Sequence, residues 1–306
     1  MNTMDWISYA TVRNGHNHTY EDITQQHILD TGSWFRFWVE EIFSNNANKL
    51  NENQLQILCA AKLIHFFKFT EEVERNIVIP ALNNICNDIY PPLSDSETKS
   101  QAIQFITDEA YHSLVAYEGY LGMCNKLELP PLPKLTDKTA HMMQTIDDLS
   151  DSFNNSLIHL VFVVFTESNV TSDLAKLSRS IPDTPLRSMI LEHVHDEQAH
   201  VRFFNRCFIT LWGKLTPLEQ NSLARLIPRI IKALYWNDIN WLLKIAKLIG
   251  IDDKSISNAK RYSCLDSVVN KHASKSAKHL ISYIINATNN HSMIEKEIIN
   301  SGLQIL

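Results

Sequence analysis

The sequence predicts an all-α protein, and three observations predict it. Only seven of the 306 residues are glycine, against a usual share of about 7%. None of the seven sits in a G-x-G-x-x-G or G-x-x-x-x-G-K-[ST] loop, which removes the common nucleotide-binding α/β folds. Turn glycines are too rare for a β-sandwich. The long stretches between prolines instead carry apolar residues three and four apart, the period of a helix.

The elements follow in order. Residues 1 to about 30 are polar, rich in Asn, His and Thr, and read as irregular. The His16/His18 pair there reads as a solvated loop before it reads as a metal site. Trp34, Phe35, Phe37 and Trp38 open an aromatic helical stretch ending near Asn45. A long helix is expected over 51–88, where Ala60, Leu63, Phe67 and Thr70 recur at helical spacing. Pro80 should kink or break its last turns, because proline has no N–H for the helical ladder. Pro91-Pro92 ends the segment. Ser94, with Glu97 three positions later, predicts a capping box for a helix over 96–126.

Leu129-Pro130-Pro131-Leu132-Pro133 is a stiff connector. It reads as a crossover inside one bundle, because each side of it carries half of the candidate site described below. A third long helix is expected over 137–177, and Pro182-Asp183-Thr184-Pro185 opens a fourth that runs to about 212. Thr216-Pro217-Leu218-Glu219 combines a capping box with proline at the first helical position. Two or three more helices should follow. The expectation is a single domain, with the site-bearing bundle at about 51–212 and C-terminal helices at about 216–306.

A formal charge of −6 gives no electrostatic reason to bind nucleic acid or an anionic membrane. Five scattered cysteines without a C-x-x-C point to unpaired thiols in a reducing cytoplasm. The N-terminus has no cationic and apolar leader pattern. The most apolar run, residues 157–165, is nine residues long, where a membrane span takes about 20. A soluble cytoplasmic protein is expected.

The informative residues are two copies of one pattern, Asp108-Glu109-Ala110-Tyr111-His112 and Asp196-Glu197-Gln198-Ala199-His200. On a helix, Glu at i and His at i+3 share a face and can bind one metal pair. Carboxylate oxygens and imidazole nitrogens together suit iron or manganese. With 17 Glu and 13 His in the chain, E-x-x-H alone is expected about 0.7 times by chance. A preceding Asp lowers that to about 0.04, so two such copies carry information. Glu192 and His195 form a third E-x-x-H, but both point more than about 120° away from Glu197 around the helix. They read as outer or surface groups.

A bundle site of this kind asks for one further Glu from each of two other helices. Glu167 stands alone among Leu160, Val163, Val164 and Val170, where a buried carboxylate needs a counter-charge. The first long helix offers Glu71, Glu72 and Glu74. Its least polar face, marked by Thr70, Val73, Ile77 and Val78, contains Glu74, while Glu71 and Glu72 are expected to face solvent or pair with Arg75. His193 lies four residues before Glu197, so His193, Glu197 and His200 leave their helix through one narrow face. Phe105 holds the equivalent place in the first copy, so the site should be asymmetric, with two imidazoles near one ion and one near the other. The expected ligands are therefore Glu74, Glu109, His112, Glu167, His193, Glu197 and His200. Four carboxylates balance two divalent ions. Asp108 and Asp196 are placed to accept a hydrogen bond from a ligand His on the partner helix and so fix its tautomer. Thr70, Phe105 and Val163 lie near the ligands on the same faces and are candidate substrate-pocket residues.

This pattern resembles the ferritin-like di-iron carboxylate proteins, which implies a four-helix di-iron bundle with additional N- and C-terminal helices. The histidine four positions before the second Glu makes it similar, more narrowly, to the bacterial p-aminobenzoate N-oxygenase family, the di-iron arylamine oxygenases of natural-product biosynthesis. The ligand order of that family, Glu, Glu-x-x-His, Glu, His-x-x-x-Glu-x-x-His, reads here as Glu74, Glu109/His112, Glu167 and His193/Glu197/His200. The correspondence spans residues 74–200. The resemblance implies two iron ions, O2 as co-substrate, and oxygen transfer to an amine nitrogen giving a hydroxylamine, nitroso or nitro product. It implies electrons from an external reductase or ferredoxin, since no flavin or nicotinamide motif is visible. A homodimer is also expected. Two other readings stay open: oxidation at carbon on the same scaffold, since fold does not fix function, and a ferritin-like iron-binding protein. About 100 residues beyond the last ligand could form a substrate lid.

Overall fold

The computed structural model describes residues 3–14, 20–43, 50–151, 153–288 and 291–303, and every regular element among them is helical. In the N-terminal part these are α1 (Thr3–Tyr9), α2 (Thr11–Asn14), α3 (Gln25–Gly32) and α4 (Arg36–Phe43). Then come α5 (Glu52–Val73), a π-helical turn (Glu74–Val78), α6 (Ile79–Cys86), α7 (Ser96–Lys126) and α8 (Asp137–Ser150). α9 (Asn155–Ser180) and α10 (Pro185–Trp212) follow. The C-terminal part holds α11 (Pro217–Leu234), α12 (Asn240–Leu248), α13 (Asp253–Ser263), α14 (Asp266–Thr288) and α15 (His291–Asn300).

Side-chain caps explain where the long helices begin. Asn51 and Gln54 form a reciprocal capping box at α5, and Thr216 and Glu219 form the expected one at α11, with Pro217 in its first turn. Thr184 caps α10 by accepting from the Arg187 amide. At α7 the cap is Asp95, which accepts from the Thr98 amide at 2.8 Å, and not the expected Ser94. The carboxylate one residue on is the better acceptor for the unpaired first-turn N–H groups.

Three other expectations are corrected. The stretch read as irregular contains α1, α2 and α3, the last opened by a Thr24/His27 capping box. The helix expected over 137–177 is two helices, because Asn154 accepts from the Leu157 amide and starts α9 afresh. Among the described residues four more helices follow α11, where two or three were expected. The break expected near Pro80 is present as the π-turn just ahead of it, and Pro80 itself sits in the first turn of α6. His16 and His18 lie outside the described residues, as does Asn45.

α5 with its π-turn, α7, α9 and α10 form the bundle, α5 packed on α7 and α9 on α10. Their apolar side chains fall into two clusters. One joins residues 55–67 of α5 to 116–124 of α7, 170–177 of α9 and 186–194 of α10. The other joins 69–85 of α5 and α6 to 102–105 of α7, 157–165 of α9 and 199–212 of α10. The start of α5 thus meets the end of α7, so the two run antiparallel, as do α9 and α10. α3, α4, α12 and α13 pack onto the first cluster, and α8, α11, α14 and α15 onto the second. Gly32 lets α3 sit directly on α5, because a Cβ there would lie 2.7 Å from the Ala60 backbone.

Among the described residues α9 is the one helix long and apolar enough to cross a membrane, but 67% of its apolar window is buried in the bundle. Its hydrophobicity is that of a central packing element. All the polar residues of the candidate site lie where the two apolar clusters meet.

Candidate metal centre

Glu74 opens the π-turn. Pro80 has no N–H to give, the regular ladder fails just ahead of it, and the Ile79 N–H reaches back five residues to the Glu74 carbonyl. Such one-turn widenings recur at functional sites. Glu109 and His112 project from the middle of α7, Glu167 from the middle of α9, and His193, Glu197 and His200 from one face of α10. Six of these seven are buried, and the His193 side chain is 11% exposed.

Six of the seven side chains converge in two overlapping groups, and Glu167 lies beside the second. Glu74, His112, His193 and Glu197 offer ligand atoms within 4.8 Å of one another, and so do Glu109, His112, Glu197 and His200. His193 Nε2 stands 3.1 Å from both Glu74 Oε1 and Glu197 Oε1. His112 Nδ1 is 3.2 Å from Glu197 Oε1, and its ring stacks on His193 with centroids 4.1 Å apart. At the other end, His200 Nδ1 is 2.8 Å from Glu109 Oε1 and 3.9 Å from Glu167 Oε2.

Short distances here do not mean satisfied groups. Both oxygens of Glu74 and of Glu109, one each of Glu167 and Glu197, and Nδ1 of His112 and His200 are buried without a hydrogen-bond partner. Buried polar atoms are paired in the great majority of cases, so eight atoms left without a hydrogen bond in these two groups mark a place that could hold metal ions. The donor set, carboxylate oxygen with imidazole nitrogen, fits iron or manganese.

Asp108 and Asp196 stand in crossed positions. Asp108 of α7 meets His200 Nε2 of α10 at 3.3 Å, and Asp196 of α10 meets His112 Nε2 of α7 at 3.1 Å. Both aspartates are fully buried. With Nε2–H committed outward, each ring presents Nδ1 to the centre.

The electrostatics agree with this arrangement. Burial pushes the Glu74 carboxyl up to about 7, against the pull of His193. Glu109 and Glu167 are raised too, by burial first and then by the Glu197 charge. Burial opposes ionisation of Glu197 as well, yet His200, His112 and His193 outweigh it and hold that carboxyl well below its usual range. His112 and His200 are desolvated, but nearby carboxylates raise both well above the ordinary imidazole value. Protons are shared across the centre, and an incoming cation has to displace them.

Glu71 and Glu72 do not face solvent. Both are buried. Glu71 pairs with Arg75, as expected, and also with Lys68, each at 2.7 Å. Glu72 pairs with Lys68 at 3.0 Å and accepts from the Thr136 amide that precedes α8. Glu192 is partly buried beside the centre, and the His195 side chain is 60% exposed.

Three cavities lie along the N-terminal half of α10. A small apolar one is lined by Phe67, Thr70, Ala116 and His193, and the Thr70 hydroxyl has no hydrogen-bond partner. A second, lined by Thr11, Tyr111, His112, Glu192 and His193, opens onto the imidazoles. A third of about 350 Å³ shares Thr11 and Glu192 with it and is bounded by Tyr9 and His195. Of the expected pocket residues, Thr70 lines the first cavity. Phe105 packs its ring on His200 instead, with centroids 4.4 Å apart, and Val163 is buried in the apolar cluster. Among the described residues, none beyond His195 lines these three cavities.

Two residues at the centre carried no signal in the sequence. Trp6 Nε1 donates to Asp108 at 2.9 Å, and the Thr11 amide donates to Asp196 at 3.1 Å. Both belong to the stretch that reads as irregular, and an isolated indole or threonine has no spacing to recognise.

Comparison with known proteins bears on these residues. A family model described as p-aminobenzoate N-oxygenase AurF matches residues 48–282. No curated protein matches the chain.

Proposed function

The chain belongs to the p-aminobenzoate N-oxygenase family, and from that premise we propose that it is an O2-dependent N-oxygenase of a primary, aryl amine. The observation that carries the reading is the ring of eight buried, unpartnered ligand atoms on family-pattern residues. Glu74, His112, His193 and Glu197 would hold one iron, and Glu109, Glu197 and His200, with Glu167 beside His200, would hold the other. Bound there, the two ions supply O2 activation and oxygen transfer, with electrons from a separate reductase or ferredoxin.

The chain's own residues contribute orientation and exclusion of water. Asp108 and Asp196 fix the tautomers of His200 and His112. Phe105 and the apolar residues on both sides keep bulk water from the centre. The amine approaches along α10, through the cavities bounded by Tyr9, Glu192 and His195, towards His112 and His193. The apolar wall at Phe67, Ala116 and Met189 favours an amine that enters uncharged, as an arylamine does near neutral pH. The five unpaired cysteines suit a reducing compartment such as the cytoplasm.

The test is metal analysis followed by turnover. Purified protein should hold about two irons per chain and, once reduced and exposed to O2 with a panel of amines, add oxygen to nitrogen by mass spectrometry. Oxygen gained on carbon would move the assignment to a C-oxygenase. Stoichiometric zinc alone, or iron without any oxygenated product, would overturn it.

A further inference from the structure

We propose that the N-terminal segment, acting through Trp6 and Thr11, positions the imidazoles of the metal centre. This rests on the metal reading above. Each crossed aspartate joins a ligand imidazole to one donor from this segment, and Asp196 has the exposed His195 Nδ1 a further 3.6 Å from its Oδ1. Trp6 Nε1–H donates to both oxygens of Asp108, at 3.0 and 2.9 Å, and Asp108 Oδ2 holds His200. The Thr11 N–H donates to both oxygens of Asp196, at 3.3 and 3.1 Å, and Asp196 Oδ2 holds His112. The two chains of contact run alike: segment donor, buried carboxylate, imidazole.

The physical consequence follows from how a carboxylate moves. Held by one imidazole alone, it can rotate about its Cβ–Cγ bond. A second donor lying across both oxygens fixes its plane, and with it the direction in which the ring is drawn. That donor also takes up part of the carboxylate's charge, so the imidazole binds its metal less basically than it would beside an undivided aspartate. Both aspartates are fully buried, so water is a poor substitute for these donors. Thr11 is tied down separately, its hydroxyl donating to the Glu192 carbonyl of α10. Trp6 and Thr11 precede residue 48, where the family match begins, so the family pattern does not account for them.

The first experiment is cobalt(II) titration of the full chain. Trp6→Phe keeps an aromatic ring and deletes the N–H. It should retain wild-type helicity, bind cobalt roughly tenfold more weakly, the low end for loss of an outer partner, and shift the ligand-field absorption. Asp108→Asn should lose at least as much, and the double variant no more than Asp108→Asn alone, because the two act in one line. A wild-type affinity and spectrum for Trp6→Phe, or additive losses, would overturn the proposal. Should Trp6→Phe fold poorly, hydrogen exchange on the wild-type protein decides. The Thr11 amide should exchange more slowly once cobalt is bound, and an unchanged rate sinks the idea. The wild-type titration stands apart from these outcomes: if it shows no pair of bound ions, the metal reading itself fails.

Discussion

Two groups of buried carboxylates share one stretch of helix and differ in how their charge is met. Glu71 and Glu72 find fixed partners in Lys68, Arg75 and the Thr136 amide. Glu74, two residues on, faces only titratable imidazoles, His193 at 3.1 Å and His112, beside the Glu109 carboxylate. The first pair holds the fold together, since a buried charge with a protein cation is already balanced. The second set is met by the protons on His112 and His200, which an incoming metal can displace. Buried acid is therefore not the mark of a metal site. Buried acid met only by titratable imidazoles is.

Substitution on each side should break this comparison if it is wrong. Glu197 belongs to both groups of converging atoms, so Glu197→Ala should abolish metal binding and turnover together. Unchanged iron content in that variant would refute the ligand assignment. Glu72→Gln should do the reverse. It leaves Lys68 with one carboxylate and weakens the hold on α8, and should cost about 3 kcal/mol in urea unfolding, the lower end for breaking a buried pair. Iron stoichiometry should stay at the wild-type level. Loss of iron with no loss of stability in Glu72→Gln would reverse the roles given to the two groups.

A smaller, graded difference should appear with pH. In protein stripped of metal by chelation, His112 and His200 hold protons more tightly folded than unfolded. Their stabilisation is complete below the ordinary imidazole value of 6.5 and is lost as pH rises through the raised folded values. Glu74, raised from 4.5 to about 7, loses its share across that interval in the same direction. Glu197 has the opposite sign, but its window lies well under 4.5. The unfolding temperature of the stripped protein should therefore fall between pH 6 and pH 9, and that of the loaded protein should fall less. A stripped protein that gains stability over this range would contradict the proton sharing described at the centre.

The centre was legible in the sequence to the extent that its residues obey helical spacing. Glu109 with His112, and His193 with Glu197 and His200, are neighbours because three or four residues return a helix to the same face. Glu167 was legible as one acid among Leu160, Val163 and Val164. Glu71 and Glu72 were misread because their cation, Lys68, lies on the same helix and looks like a surface residue in a linear pattern. Trp6 and Thr11 were not legible at all. Their partners stand 102 and 185 residues away, and nothing local records such a contact. The junction of α8 and α9 was missed for a different reason: Asn154 reads as one more polar residue until its side chain is seen capping Leu157.

The π-turn has a consequence of phase. Each residue advances an α-helix by about 100°, and the widened turn at residues 74–78 lets α5 and α6 keep separate rotational settings. Before it, Lys68 and Glu72 stay turned towards each other and Thr136. After it, Ala81, Leu82 and Ile85 stay turned into the apolar cluster. Removing one residue between 74 and 78 would impose a single phase on both, and one of the two faces would have to leave its partners. A replaced side chain at Asn76 does nothing of the kind. The number of residues in this stretch sets the phase, while Arg75, Ile77 and Val78 keep contacts of their own.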